Sequence, residues 1–203
     1  ACGKTQNGNR NLADRVKIIQ SYGIEVSGGF ILGFDSDTKS IFQRQIDFIH
    51  ESGIISAMVG LLNAPKKTPL YARLKKEGRI LNEISGDNTD FSLNFIPKMD
   101  KAILLDGYKK VIKGIYGGHE YYHRVSKFIE RFTPNNIHVK KVTPQLLIAF
   151  IKSIFKLGIL DKYRLEYWRL LFWTANNRPK LIPLAITYSV YGYHFRKVFK
   201  EVL

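Results

Sequence analysis

Hydrophobic periodicity changes once along the chain. Leu12, Val16 and Ile19 recur at helical spacing, with Asn9 or Asn11 ahead of them as a cap and Gly23 behind them as a stop. Ile24 to Gly33 is short, partly β-branched and punctuated by glycine, which predicts a buried strand. Asp35, Asp37 and Thr38 supply N-cap chemistry for a second helix. It carries Ile41, Gln45, Phe48 and Ile49 on one side and stops at Gly53. Ile55 to Leu62 reads as a second strand. Strand, helix and strand in one sheet close right-handed as a parallel pair. After a polar loop from Asn63 to Lys67, Thr68 caps and Pro69 opens a third helix that runs to Gly78.

From residue 100 onward only helical spacing recurs. Asp100 caps a segment with Ile103, Leu104, Tyr108, Val111, Ile112 and Ile115 on its apolar side, broken at Gly117-Gly118. A second helix carries Tyr121, Tyr122, Val125, Phe128, Ile129 and Phe132 and ends at Pro134 to Asn136. Pro144 starts a third, running to Leu157 and ending at Gly158. Two further stretches, 161–176 and 180–203, are helical or broken at Pro183. The predicted fold class is α/β, two parallel strands with flanking helices, followed by an all-α carboxyl-terminal region. Two parallel strands cannot cover both faces or pair both edges. They read as part of a larger sheet whose other strands lie N-terminal.

Charge sharpens this division. Residues 1–99 hold 13 Lys and Arg against 10 Asp and Glu, whereas residues 100–203 hold 19 against 7. Eighteen of the 26 aromatic residues also lie in the second part, so a boundary near Pro97 to Asp100 is expected, with domains 1–99 and 100–203. A net charge of +15 calls for an anionic partner. One cysteine excludes an internal disulfide framework, a four-cysteine zinc site and an internally ligated iron–sulfur cluster. No apolar run reaches the length of a transmembrane span, and the first ten residues are polar. The expected setting is cytoplasmic, with peripheral membrane attachment as an option.

The string Gly29-Phe-Ile31-Leu-Gly33 matches the GxIxG core of a strand motif, and Ala-Pro-Lys-Lys-Thr68-Pro69-Leu-Tyr71 is similar to a loop usually written PGTPLY. Around them stand Gln6-Asn7, Gln20-Ser-Tyr-Gly23, Ala57-Met-Val-Gly-Leu-Leu62, Glu77-Gly-Arg79, Ser85-Gly-Asp-Asn-Thr89, Leu93-Asn-Phe-Ile-Pro97 and Gly107-Tyr108. This ordered set, over about residues 1–132, resembles the cobalamin-binding radical S-adenosylmethionine (SAM) proteins with a helical C-terminal extension. Some members methylate unactivated carbons, those of hopanoid lipids among them. The resemblance implies a partial TIM-type barrel over residues 1–99 and a basic, aromatic-rich extension over 100–203. It implies a methyltransferase or another C–H-functionalising catalyst. Two departures stand out. Lys66-Lys67 replaces the usual Pro-Gly, and the family's CxxxCxxC cluster motif is absent, Cys2 standing alone. This chain then corresponds to the last two barrel strands plus the extension, inactive alone. Its partners are the missing N-terminal barrel and cobalamin domains, and the [4Fe–4S] cluster and cobalamin belong to the full-length protein.

Ligands of a parallel barrel sit at the carboxyl ends of its strands. Gly29 and Gly33 lack side chains, so a flat adenine can approach their backbone, and Ile31 between them shares their face. The resemblance gives Gly29, Ile31 and Gly33 to the SAM adenine, with backbone contacts from Leu62 and Asn63; it assigns this chain no catalytic and no metal-ligating residue. A β-bulge at Gly28-Gly29 with Ile31 in the core is the plainer alternative.

Other candidates have structural readings beside functional ones. Asp35 and Asp37 are paired carboxylates for acid–base work, or else one caps a helix and the other is solvated. Gln6, Asn7 and Ser85 to Thr89 line a substrate path, or form caps and Asx turns. His119 and His123 stand at i, i+4, on one helical face, without the HExxH pattern of a zinc site. The basic, aromatic-rich end of the chain is a helical bundle touching the missing domains, an amphipathic surface on anionic membrane or a lipid substrate, or a nucleic-acid surface lacking any recognisable motif. The rival to the enzymatic reading is a non-catalytic basic helical module that binds anionic membrane or nucleic acid.

Overall fold

The computed structural model describes residues 11–81, 92–134, 144–200 and 202. Cys2, Gln6, Asn7, Asn9, residues 85–89, Asn135 and Asn136 lie outside these residues. Helix α1 (Leu12–Ser21) is capped by Asn11, whose side chain accepts from the amides of Ala13 and Asp14. Gly23 follows at φ +76°. Strand β1 (Gly28–Leu32) pairs in parallel with β2 (Ala57–Leu61), Gly28 opposite Ala57 and Leu32 opposite Leu61. Helix α2 (Ser40–Ser52) joins them and ends at Gly53 in the left-handed region. Helix α3 (Pro69–Lys76) starts as predicted, with the Thr68 hydroxyl accepting from the Tyr71 amide.

The rest is helical: α4 (Lys101–Tyr116), α5 (Gly118–Arg131), α6 (Pro144–Ser153), α7 (Arg164–Asn177) and α8 (Ile182–Val198). The fold class is therefore α/β with a two-stranded parallel sheet among the described residues, followed by an all-α region.

Several elements depart from the pattern read in the sequence. The strands are shorter than 24–33 and 55–62, because the ladder begins only at Gly28 and Ala57. Gly158 does not end the third carboxyl-terminal helix. The chain continues from α6 into a π-helical segment, Ile154–Leu160, with Gly158 inside it. A Cβ on Gly158 would sit 3.0 Å from the Trp168 ring, and the indole Nε1 donates to the Gly158 carbonyl at 3.0 Å, so this glycine serves close packing rather than termination. Asp161 opens no helix; it is buried against Arg196. Pro183 does not break α8 but lies in its first turn, where a missing N–H is harmless, and the break precedes it at the 3₁₀ turn Pro179–Leu181.

One apolar core runs from the sheet through the helices. Leu32, Ala57, Val59 and Leu61 meet Phe42, Ile46 and Ile49 of α2 and Leu104, Tyr108, Val111 and Ile112 of α4, and the same cluster continues into α5, α7 and α8. A smaller cluster of Leu62, Ala64, Leu74 and Phe95 lies under the loop after β2.

Candidate functional site

Successive side chains of a strand point to opposite faces. The even-numbered residues of β1 and the odd-numbered residues of β2 pack into the core just described. The other face holds Gly29 and Ile31, with their register partners Met58 and Gly60. Ile31 is 47% and Met58 65% exposed, and nothing lies within 4 Å of where a Cβ on Gly29 would be. The register is continuous through Gly28-Gly29, so there is no bulge, and Ile31 is not a core residue among those described.

The two edges of the sheet differ. The ladder between the strands uses the Gly28 amide to Ser56 O at 3.0 Å and the Leu62 amide to Leu32 O at 2.7 Å. The carbonyls of Ala57 and Val59 therefore point away from β1. Both are taken by α4: Tyr116 Oη donates to Ala57 O at 2.6 Å and Tyr108 Oη to Val59 O at 3.3 Å. The burial that places these rings also pushes the Tyr116 phenol up to about 12. On the β1 edge, Ile31 O accepts from Gln45 Nε2 at 3.0 Å. A helix thus closes the β2 edge, whereas at the β1 edge, among the described residues, the half-buried Gln45 side chain reaches Ile31 O and no strand or helix backbone pairs with it.

At the carboxyl end of β1 the chain turns at Gly33, φ +103°, a conformation that favours glycine. A Cβ there would lie 3.2 Å from Leu104 of α4 and 3.7 Å from Leu62. Asp37 accepts from the amides of Gly33 and Phe34 at 2.9 and 3.0 Å, so it fixes this turn and does not cap α2, whose cap position is Lys39. At the end of β2, Leu62 is buried and Asn63 half-buried. Buried Asn94 clamps this loop: its side chain accepts from the Ala64 amide at 2.9 Å and donates to Ala64 O at 2.8 Å, while its own amide meets Asn63 Oδ1 at 3.3 Å. Gly33 and Leu62 adjoin at the strand ends, and Gly29 and Ile31 line the open face. Sequence reasoning missed Met58, Gly60, Leu104 and Asn94; alternation along β2 is a signal that reaches the first two.

Asp35 is not solvated either. Arg79 grips both carboxylate oxygens at 2.8 and 3.2 Å, and Arg73 adds a contact at 2.7 Å. The Arg79 hydrogen bond, opposed by burial and aided by Arg73, lowers the Asp35 carboxyl to about 2. This pair ties the loop after β1 to the end of α3. A folded-state value below the ordinary 3.8 means stability present above about pH 4 and lost as the pH falls toward 2. Asp35→Asn is expected to cost about 1 kcal/mol at pH 7 and clearly less near pH 2, read from urea midpoints. An equal cost at both pH values would break the assignment.

His119 and His123 do share a face. They line a cavity of about 420 Å³ between α5 and α7 together with Glu120, Ser126, Glu166 and Arg169. Glu166 pairs with His119 at 3.0 Å and with Arg169 at 3.1 Å. Among the described residues no group of three or more His, Cys, Asp or Glu converges to hold a metal ion.

A family model described as a domain of unknown function (DUF4070) matches residues 68–203. An uncharacterized methyltransferase of Synechocystis sp. is 27% identical over 203 residues, 98% of this chain and 38% of the relative. A hopanoid C-2 methylase of Rhodopseudomonas palustris is 30% identical over 167 residues, 78% of this chain and 30% of the relative. A bacteriochlorophyllide d C-12(1)-methyltransferase of Chlorobaculum tepidum is 26% identical over 157 residues, 71% of this chain and 33% of the relative. The chain spans about a third of the length of these curated relatives. No solved structure matches it.

Proposed function

The chain belongs to the DUF4070 family, and from that premise we propose that it forms the carboxyl-terminal part of a cobalamin-dependent radical SAM methyltransferase or a related C–H-functionalising enzyme. Residues before about 100 complete a partial TIM-type barrel, and the helices after it form the extension. The observation that carries this reading is the unequal pair of sheet edges. Tyr108 and Tyr116 end the sheet at β2, while the β1 edge and the Gly29–Ile31 face stay open for strands supplied from upstream. All three matched relatives are named as methylating enzymes, which supports the same reading.

The open face fits a flat base. Gly29 leaves room above the backbone, Ile31 offers an apolar surface beside it, and Gly33, Leu62 and Asn63 stand at the strand ends, the Gly33 and Leu62 amides already held by Asp37 and by Leu32 O. Asp37 and Asn94 hold the two loops in place, so the site is preorganised before ligand arrives. SAM bound there supplies the methyl group or the radical chemistry, with the cluster and cobalamin held by the upstream domains. This chain contributes binding, orientation and exclusion of water.

The test starts from the natural reading frame that contains Ala1. A CxxxCxxC motif is expected upstream. In the full enzyme, reconstituted anaerobically with iron and sulfide, Ile31→Asp is expected to raise the KM for SAM at least tenfold, by placing a carboxylate against the base. An upstream frame without the motif, an unchanged KM, or SAM cleavage by the 203-residue chain alone overturns the proposal.

A further inference from the structure

The outward side of α6 and the π-helical segment is apolar. Residues 148–149, 151–152, 155–156 and 159–160 face out, whereas Ser153, Leu157, Gly158 and Asp161 face in. Ile148, Ile151, Phe155, Ile159 and Leu160 are each more than half exposed. A surface helix ordinarily turns such a stripe toward the core. Here the core already has its own stripe, and the apolar one remains outside. Lys152 and Lys156 are the polar members of the outward set.

The surface continues onto α7. Leu165 and Phe172 are exposed there, beside exposed Arg164 and Arg169. Phe172 stacks on Trp168 at 5.5 Å between centroids, and Trp168 bonds the Gly158 carbonyl of the π-helical segment, so the two surfaces adjoin. Between residues 148 and 165 the one carboxylate is Asp161, which is buried and paired with Arg196. Apolar side chains and cations thus share this face without an exposed acid along residues 148–165.

We propose that this face rests on an anionic lipid bilayer, with Ile151, Phe155 and Ile159 immersed and Lys152, Lys156, Lys162 and Arg164 among the headgroups. Three observations select this occupant. The cationic rim complements a negative surface. The cores of protein–protein interfaces are depleted in lysine, which speaks against a further domain seated here. The segment packs on α7 and α8, while α2 and α4 are the helices that meet the strand pair, so the face is set apart from the open sheet edge. No described helix is long and apolar enough to cross a membrane, so the contact lies in the interface plane. This inference does not rest on the SAM reading.

The test uses the 203-residue chain and vesicles of phosphatidylcholine with or without 30% phosphatidylglycerol. Co-sedimentation with the anionic vesicles is expected, weakening as salt rises. Lys152→Ala with Lys156→Ala is expected to reduce binding about 30-fold at low salt, roughly fivefold for each cation near the surface. Phe155→Asp with Ile159→Asp is expected to reduce it at least 100-fold while circular dichroism stays unchanged, both positions being exposed in the fold. Phe155→Trp is expected to be quenched by brominated acyl chains, a readout of depth independent of the disruptive variants. Binding unaffected by the stripe variants overturns the proposal. So does preferential binding to duplex DNA, or a self-associated chain that the aspartate variants convert to monomer without vesicle binding.

Discussion

Asp161→Leu is expected to cost about 3–5 kcal/mol of folding stability, as breaking one half of a buried ion pair does. Asp161 and Arg196 are each less than a tenth exposed at the side chain. Arg196 also lies over the ring of Tyr163, 4.9 Å from its centroid, and of Tyr122, 5.9 Å. Leucine at 161 leaves a guanidinium in that aromatic cage without its counter-ion. The pair has a mechanical task too. Asp161 directly follows the π-helical segment, and Arg196 lies on α8, so their contact pins the end of that segment to the bundle. Urea unfolding gives the direct measurement. Adding Arg196→Met to Asp161→Leu is expected to recover most of the loss, because a matched apolar pair needs no charge compensation. A single substitution costing under about 1 kcal/mol, the range of exposed pairs, would show that water reaches the pair and that burial does not set its strength.

Local chemistry made parts of the fold legible. Asn11, Thr68 and Asp100 each announce a helix start, because a cap is a contact between a side chain and amides two or three residues on. Alternation placed Ile31 on the same face as Gly29, and Gly53 marked the end of α2 through its left-handed conformation. What escaped was set at long range. Asp35 sits in a cap-like string, yet its partners Arg73 and Arg79 are 38 and 44 positions away. Arg79 outcompeted any amide close by. Tyr108 fell on the apolar side of its helix by spacing, and it is core, as is Tyr116, which that reading did not name. Their hydroxyls, however, cap a strand edge 49 and 59 residues earlier, which no periodicity reveals. Gly158 has the look of a stop, and only the approach of Trp168 explains its place inside a π-helical turn.

The candidate site divides the same way. Gly29, Ile31 and Gly33 stand in one short run; alternation put Gly29 and Ile31 on one face, while their reading as a site came from the resemblance. Its shape depends on Asn94 and Leu104, which come from beyond β2; Asn94 stood in the Leu93–Pro97 string with no role assigned to it, and Leu104 only on the apolar side of its helix. Leu104 belongs to the helical extension, so the extension forms one wall of the turn at Gly33. The two parts of the chain differ in charge and composition but meet at this point.

That meeting depends on Gly107, and Gly107→Ala gives the second large effect. In an isolated helix the change is favourable by about 1 kcal/mol, since alanine has the higher propensity. Here α4 crosses α2 at that residue. A Cβ on Gly107 would lie 2.1–2.3 Å from three atoms of the Phe42 ring, which is itself buried. Two turns on, Ile46 of α2 lies 2.9 Å from where a Cβ on Gly114 would be, and His50 meets the Gly114 carbonyl at 3.0 Å, so the helices have no slack along this line. Overpacking of such a contact costs typically about 1–3 kcal/mol, and the depth of this overlap places it at the upper end. The steric term wins, and net destabilisation of about 2 kcal/mol is expected, a fall of roughly 4–8 °C in Tm for a domain of this size. Phe42→Leu in the same chain is expected to restore part of it by vacating the ring. Because Leu104 sits one turn before Gly107, separating α4 from α2 also draws Leu104 away from Gly33, and faster hydrogen exchange at the Gly33 and Phe34 amides should accompany the loss. A stabilised Gly107→Ala variant would mean that helix propensity outweighs the crossing, and that the extension does not hold the strand-end turn in shape.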